Sequence, residues 1–376
     1  MRHACIIPLI GGFPLAAEEL FNTPPLAVYS FKDFIKNDRL YLNYKPNVPY
    51  YDINGDYKVV KDLDIVYGTP PCSGLSTAST TIKKDTSGVN NWMMLAGEFA
   101  LSILKPRVYI FENAPGLFTN IGVGVRKELY SLGSKYGYSV TFYRTNTLLH
   151  GVPQNRVRTY IIFSKGTKAP YLGKIHKDYE NISDYLSRKP ISYKYDSLYA
   201  TKFPYFHQYD TVSFLKMLLG DNWRNIIIGE GRNNNNLLKY MIKVNLLPDL
   251  KSYTKDEKLI YTIDHIMRKR REGKGFRSQY GNIMLYRNYV GTVFGGSMWF
   301  MAHPKEDRIM NIGEYMWLMG LPLDMELQKT DYQRIGQNVP LQTSMDILEG
   351  IRMFLNGEGA EYSDNYLMQN NIKGIL

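Results

Sequence analysis

Three short segments carry side chains suited to covalent catalysis, and each follows a run of strand-forming residues. Cys72 sits in Gly68-Thr-Pro-Pro-Cys72-Ser-Gly, Glu112 in Phe111-Glu-Asn-Ala-Pro, and Arg156 and Arg158 in Gly151-Val-Pro-Gln154-Asn-Arg-Val-Arg. A thiolate can add to an electron-poor carbon, a carboxylic acid can take up the charge that moves on addition, and a guanidinium can hold an oxygen that becomes negative. Two prolines before Cys72 and Ser-Gly after it fix the backbone and leave a polar approach, and nearby arginines favour the thiolate. The bland alternative for a free cysteine is a small buried hydrophobe, which is the reading that suits Cys5 inside a strand. With only two cysteines in 376 residues, neither a disulfide framework nor a thiolate metal site is expected, and a reducing compartment fits best.

These segments need a scaffold that brings strand ends together. Over residues 4–163, short β-rich runs at 5–10, 27–31, 64–67, 108–111, 139–144 and 159–164 alternate with helical patterns, the signature of an α/β, doubly wound, Rossmann-like parallel sheet. The helical pattern is clearest at 91–104, stopped by Pro106, and at 125–136, before Gly137. In such a sheet ligands bind beyond the carboxyl ends of the strands, where the three segments would lie. Past Lys165 the sequence becomes rich in Tyr, Asn and Lys with weak periodicity up to about Gly296, which predicts a smaller, irregular domain. A helical pattern resumes at Ile309, and 341–354 predicts a final amphipathic helix. The expected organisation is 1–164, 165–325 and 326–376, the last returning to the first. The net charge of +11 favours a polyanionic partner. Arg268, Arg270 and Arg271, with Lys274 and Arg277 in a glycine-containing stretch, read as a flexible basic arm. The amino terminus lacks the parts of a signal peptide and no stretch approaches twenty apolar residues, so a cytoplasmic protein is expected, with no membrane and no metal.

In order and spacing, the three segments resemble the Pro-Cys, Glu-Asn-Val and Gln-x-Arg-x-Arg motifs of the DNA cytosine-5 methyltransferase family. The resemblance implies methyl transfer from S-adenosylmethionine to C5 of cytosine in double-stranded DNA, as in restriction–modification systems, by a monomer. The chemistry is consistent with the residues. C5 is a poor nucleophile until a thiolate adds at C6 and makes the ring an enamine. Glu112, partly buried with an arginine near it, would meet N3 and the C4 amino group. By the same resemblance Arg158 would contact O2, while Arg156 supports a loop or a phosphate. The base must be rotated out of the duplex. Residues 76–91, small and polar, resemble the family's catalytic loop, with Ser76 and Gln154 on the DNA side together with Arg268, Arg270, Arg271 and Arg277.

The family's cofactor turn is Phe-x-Gly-x-Gly-Gly. The matching stretch here is Ile7-Pro8-Leu9-Ile10-Gly11-Gly12-Phe13, which lacks the aromatic and the first glycine but keeps Gly11 and Gly12 for a tight turn. After the second strand, where the family has an acid on the ribose, a simple register gives Lys32, with Asp33 beside it. Asp52 matches the acid on the adenine side, and Pro71 fits the wall before the nucleophile. Arg334-Ile-Gly-Gln337-Asn338-Val-Pro resembles the Gly-Asn-x-Val-Pro motif with Gln337 at the asparagine position and Asn338 one place later. Arg308 and Glu314 fall in a stretch similar to the Arg-x-Leu-Thr-x-Arg-Glu helix. Two other readings remain open here: an RNA cytosine-5 methyltransferase, and a non-catalytic DNA-binding relative with an altered cofactor pocket.

Overall fold

The structure, a computed structural model, describes the chain except for residues 72, 77–81, 83, 189–209, 276–282, 296–299, 328–330, 360, 363–365 and 374–376. Cys72, Arg277 and part of the 76–91 segment therefore lie outside the described residues. The chain forms two units, one of Met1–Tyr179 with Leu318–Leu376 and one of Glu180–Trp317. In chain order the strands are β1 (His3–Ile6), β2 (Val28–Ser30), β3 (Tyr50–Asp52), β4 (Ile65–Gly68), β5 (Val108–Asn113), β6 (Tyr138–Asn146), β7 (Val157–Lys165), β8 (Ala169–Pro170), β9 (Asn234–Asn236), β10 (Met284–Tyr286), β11 (Glu361–Tyr362) and β12 (Tyr366–Asn370).

The first unit holds an eight-stranded sheet in the order β12-β6-β7-β5-β4-β1-β2-β3. All neighbours are parallel except β7, which runs antiparallel to both β5 and β6. The expectation of a doubly wound sheet is met, and the reversal at β7 has a simple cause. Only residues 147–156 separate β6 from β7, too few for the crossover that parallel neighbours need. The reversal brings the amino end of β7, with Arg156 and Arg158, to the edge where β4 and β5 finish.

Helix α1 (Gly12–Phe21) follows β1, and α2 (Ile35–Tyr44) follows β2. The predicted helix at 91–104 is α3 (Asn91–Phe99) continued by a wide π-turn over Ala100–Leu104, ending where Lys105 turns left-handed before Pro106. In α4 (Val123–Lys135) the buried Val125, Leu129 and Leu132 form the inward stripe, and Gly137, at φ +74°, opens the turn into β6. The strand core is apolar on both faces, as a covered sheet requires: every residue of β5 is buried, Glu112 and Asn113 included. The last helix, Leu341–Leu355, packs against α1, and β12 then joins the sheet beside β6. Neither β3 nor β12 was anticipated, because three and five residues are too short to show a period.

The second unit is helical where the sequence reads as irregular. Helices Asp210–Leu219, Trp223–Ile228, Leu237–Lys243, Leu247–Tyr253 and Glu257–Arg271 enclose a core around Trp223, Leu238, Met241, Leu259 and Ile263. Asn234–Asn236 is a strand paired antiparallel with β10. The basic arm is a second correction. Arg268, Arg270 and Arg271 form the last turn of Glu257–Arg271, where cations complement the carbonyl end of the helix dipole. Asp256 caps the other end through the amides of Lys258 and Leu259. The buried carboxylate of Glu314 pairs bidentately with Arg308, at 2.6 and 2.9 Å, and Glu314 exchanges bonds with Asn311 in a reciprocal cap of the helix Ile312–Met319.

Candidate active site

Four chain segments meet at the carboxyl edge of β4 and β5. Gly68, the last residue of β4, is in register with Phe111, so the residues after Gly68 run beside Glu112. On the far side of position 72, the turn Ser73–Leu75 is pressed against the loop after β5. A Cβ on Gly116 would come 2.3 Å from the Leu75 carbonyl oxygen, so only glycine fits there. Both chain flanks of Cys72 are thus held at the Glu112 segment.

Glu112 is 2% exposed, and its Oε1 lies 2.6 Å from Nε of Arg158, whose side chain retains 14% exposure. Burying a carboxylate costs several kcal/mol unless it is paired, and the guanidinium supplies that pair. The arginine reaches Glu112 because Glu112 faces Tyr160 across the antiparallel pairing and Arg158 is two residues earlier, on the same side of β7. Asn113 accepts the Ala114 amide at 2.9 Å, which holds the chain as it leaves β5.

Arg156 has a different task. It is 2% exposed and donates to the carbonyls of Gly336, at 3.1 Å, and Asn338, at 2.8 Å. These bonds tie it to the loop at 336–338. Gln154, expected on the DNA side, is wholly buried with Nε2 3.4 Å from Sδ of Met319. Ser76 stays half-exposed.

Around the carboxyl ends of β1, β2 and β3 the sequence expectations fare unevenly. Gly11 adopts φ +108° and Gly12 donates its amide to Oδ1 of Asn338 at 2.8 Å. A Cβ on Gly12 would fall 2.1 Å from the Val339 carbonyl oxygen. Asn338 is buried and Gln337 exposed, so Asn338, one place later than the simple register, occupies the position against the turn. Its Nδ2 is buried without a hydrogen-bond partner among the described residues, a donor left for a ligand. The ring of Phe13 is buried, stacked on Tyr67 at 5.8 Å and edge-on to Tyr160. Lys32 and Asp33 lie exposed on the turn after β2, and Pro71 is half-buried. Asp52, half-buried, ends β3 and accepts the Asn54 amide at 3.0 Å.

Sequence reasoning missed Asp38. It is fully buried in α2, and its carboxylate accepts the Leu9 amide at 3.1 Å and the Ser30 hydroxyl. Burial raises its carboxyl to about 7, against the opposing pull of those hydrogen bonds and of Arg334. Leu9, standing where the resembling motif has glycine, adopts φ +51°. That conformation costs an L-residue about 1–2 kcal/mol, a cost that one net hydrogen bond, about 0.5–1.5 kcal/mol, offsets in large part. The signal that could have found Asp38 is the leucine itself, because a non-glycine in such a turn needs a partner. Cys5 is buried in β1 and its thiol is pushed well up by burial, as suits a core residue.

A sheet with one reversed strand, and a carboxyl edge combining a glycine turn with a buried acid–guanidinium pair, define a Rossmann-like fold with a site at its carboxyl edge. The chain belongs to the C-5 cytosine-specific DNA methylase family, whose model matches residues 9–352. Among curated relatives, it is 27% identical over 131 residues to the type II methyltransferase M1.HphI of Haemophilus parahaemolyticus, covering 35% of each chain. It is 33% identical over 115 residues to the type II methyltransferase M.XorII of Xanthomonas oryzae pv. oryzae, covering 29% of this chain and 26% of the relative. The chain thus spans about a third or less of the length of these relatives. A solved DNA modification methyltransferase encoded within an Escherichia coli prophage shares the fold with a TM-score of 0.57 at 16% identity, over 95% of this chain and 99% of that one. Among the described residues no helix is long and apolar enough to cross a membrane. No group of three or more His, Cys, Asp or Glu in them is arranged to hold a metal ion.

Proposed function

We propose that this protein methylates C5 of cytosine in double-stranded DNA, using S-adenosylmethionine, with Cys72 as nucleophile. The observation that carries the reading is the buried Glu112–Arg158 pair, 2.6 Å apart, at the strand edge that also receives both flanks of Cys72. A base rotated into this edge would meet an acid and a cation that are already largely desolvated and held close together. The Cys72 thiolate attacks C6, and the electron pair displaced from the C5–C6 bond moves toward N3 and O2. Glu112 hydrogen-bonds or protonates N3, and Arg158 holds O2. C5, now enamine-like, takes the methyl group. Loss of the C5 proton to water at the site, return of the N3 proton to Glu112 and expulsion of the sulfur then restore the ring, the acid and the thiolate.

S-adenosylmethionine, when bound, supplies a methyl group made electrophilic by its sulfonium. The residues that would hold it are the Gly11–Gly12 turn and the free Nδ2 of Asn338, with Asp33 and Asp52 as the acids available to its ribose and adenine. The Glu180–Trp317 unit would recognise the target, its basic residues Arg268, Arg270 and Arg271 contacting phosphates. A cytoplasmic, DNA-associated monomer is the setting that suits these parts.

A duplex with 5-fluorocytosine at methylatable positions tests the mechanism, because fluorine cannot leave C5 as a proton does. In the presence of S-adenosylmethionine the protein should form a covalent complex stable to denaturing electrophoresis, and Cys72→Ala should form none. Methyl transfer by the alanine variant would remove Cys72 from the reaction. Transfer to RNA but not to duplex DNA would replace the substrate.

A further inference from the structure

We infer that Asp38 is a positioning residue for the cofactor turn, its carboxylate holding Leu9 in the left-handed conformation that a glycine would adopt unaided. The inference rests on the cofactor reading given above and concerns how this chain keeps that turn without the first glycine. Three independent features converge on it. Leu9 has a left-handed backbone in the one position where the turn departs from the glycine pattern. Its amide donates to Asp38 from across the β2–α2 connection. The carboxylate is itself oriented by the Ser30 hydroxyl at the end of β2, so the group is fixed on two sides. A buried carboxylate in a helix has no structural need to reach a loop amide, and a well-packed apolar side chain there would avoid its desolvation. Its presence is explained by the turn: an amide held by a fixed acceptor keeps residues 9–12 in one conformation, and a preorganised site binds more tightly than one that must be ordered by its ligand.

The test is a cycle of variants of the full chain, read by calorimetric binding of S-adenosylhomocysteine and by hydrogen exchange of the peptide covering residues 7–13. Asp38→Ala should weaken binding by at least about ten-fold and speed exchange of that peptide. Asp38→Asn, whose amide oxygen can still accept from Leu9, should stay within about three-fold of the wild type. Leu9→Gly placed in the Asp38→Ala background should recover most of the lost affinity, since glycine takes φ > 0 without support. Wild-type affinity in Asp38→Ala, or no recovery in the double variant, would overturn the inference. If Asp38→Ala does not fold, Ser30→Ala carries the test: a loss of a few-fold should vanish in the Leu9→Gly background, and an equal loss in both backgrounds refutes the idea. Failure of the wild type to bind S-adenosylhomocysteine would sink the cofactor reading instead. Exchange at residues 7–13 would still judge the Asp38 contact, with unchanged exchange in Asp38→Ala or Ser30→Ala counting against it.

Discussion

At the scale of single residues, the proposed reaction gives different tasks to Glu112 and Arg158, which pair at 2.6 Å. Glu112 is buried and paired, so its removal should affect the chemical step more than DNA affinity. Glu112→Gln keeps the shape and one acceptor but loses the acid, and turnover should fall by about 10²–10⁴-fold with little change in DNA binding. Single-turnover methyl transfer and a filter-binding assay on the same preparations separate the two effects, and undiminished turnover would exclude Glu112 as the acid. Asp38 allows a second prediction, of stability against pH. Its carboxyl lies near 3.8 when unfolded and about 7 when folded, mainly through burial. Between these values the folded protein holds a proton that the unfolded chain has released. The contribution of Asp38 is therefore most favourable below pH 4, declines as pH rises toward 7, and is level above that. Relative to Asp38→Asn, the wild type should lose up to about 1.4 kcal/mol per pH unit across the window, measured by urea unfolding at several pH values. A constant difference between the two proteins would mean that the folded carboxyl is not raised.

At the scale of elements, the reversal of β7 decides the geometry. A parallel β7 would carry Arg158 to the opposite edge of the sheet, away from Glu112. Just before this strand stands Arg156, whose buried guanidinium ties the β6–β7 connection to the Gly336–Asn338 loop, and that loop in turn receives Gly12. Arg156→Met should preserve volume while leaving two carbonyls without their donor. A loss of about 2–6 kcal/mol in unfolding free energy is expected, at about 1–3 kcal/mol for each of the two unsatisfied groups. Chemical denaturation measures it, and a change under about 0.5 kcal/mol, the range of an ordinary surface substitution, would show that the loop does not depend on this arginine.

At the scale of the whole molecule, an excess of eleven positive charges is spread over a chain whose clearest cationic cluster ends one helix of the second unit. Cations at a helix end stabilise that helix whether or not DNA is present, so clustering alone does not decide their use. Salt does. If Arg268, Arg270 and Arg271 meet phosphates, converting all three to Gln should weaken duplex binding across sequences and lower the slope of log K against log salt by up to about 0.9 for each phosphate no longer neutralised. Fluorescence anisotropy from low to moderate salt gives both quantities, and an unchanged slope would move the phosphate-binding residues elsewhere.

The amino-acid sequence by itself determined the alternation of strands and helices in the first unit. It also determined the identity of the segments at the strand ends, because hydrophobic period, proline stops and reactive side chains are local properties. It marked Leu9 as an anomaly within a glycine turn. Only the tertiary structure decided which of two adjacent residues, Gln337 or Asn338, turns inward, and that the Phe13 ring stacks on Tyr67. It likewise decided that the arginine run is helical and that Asp38, distant in sequence, supports Leu9. The reason is physical. A buried polar group must find its partner wherever the fold brings one within hydrogen-bond reach, and that distance is set by packing between elements, which no local pattern encodes.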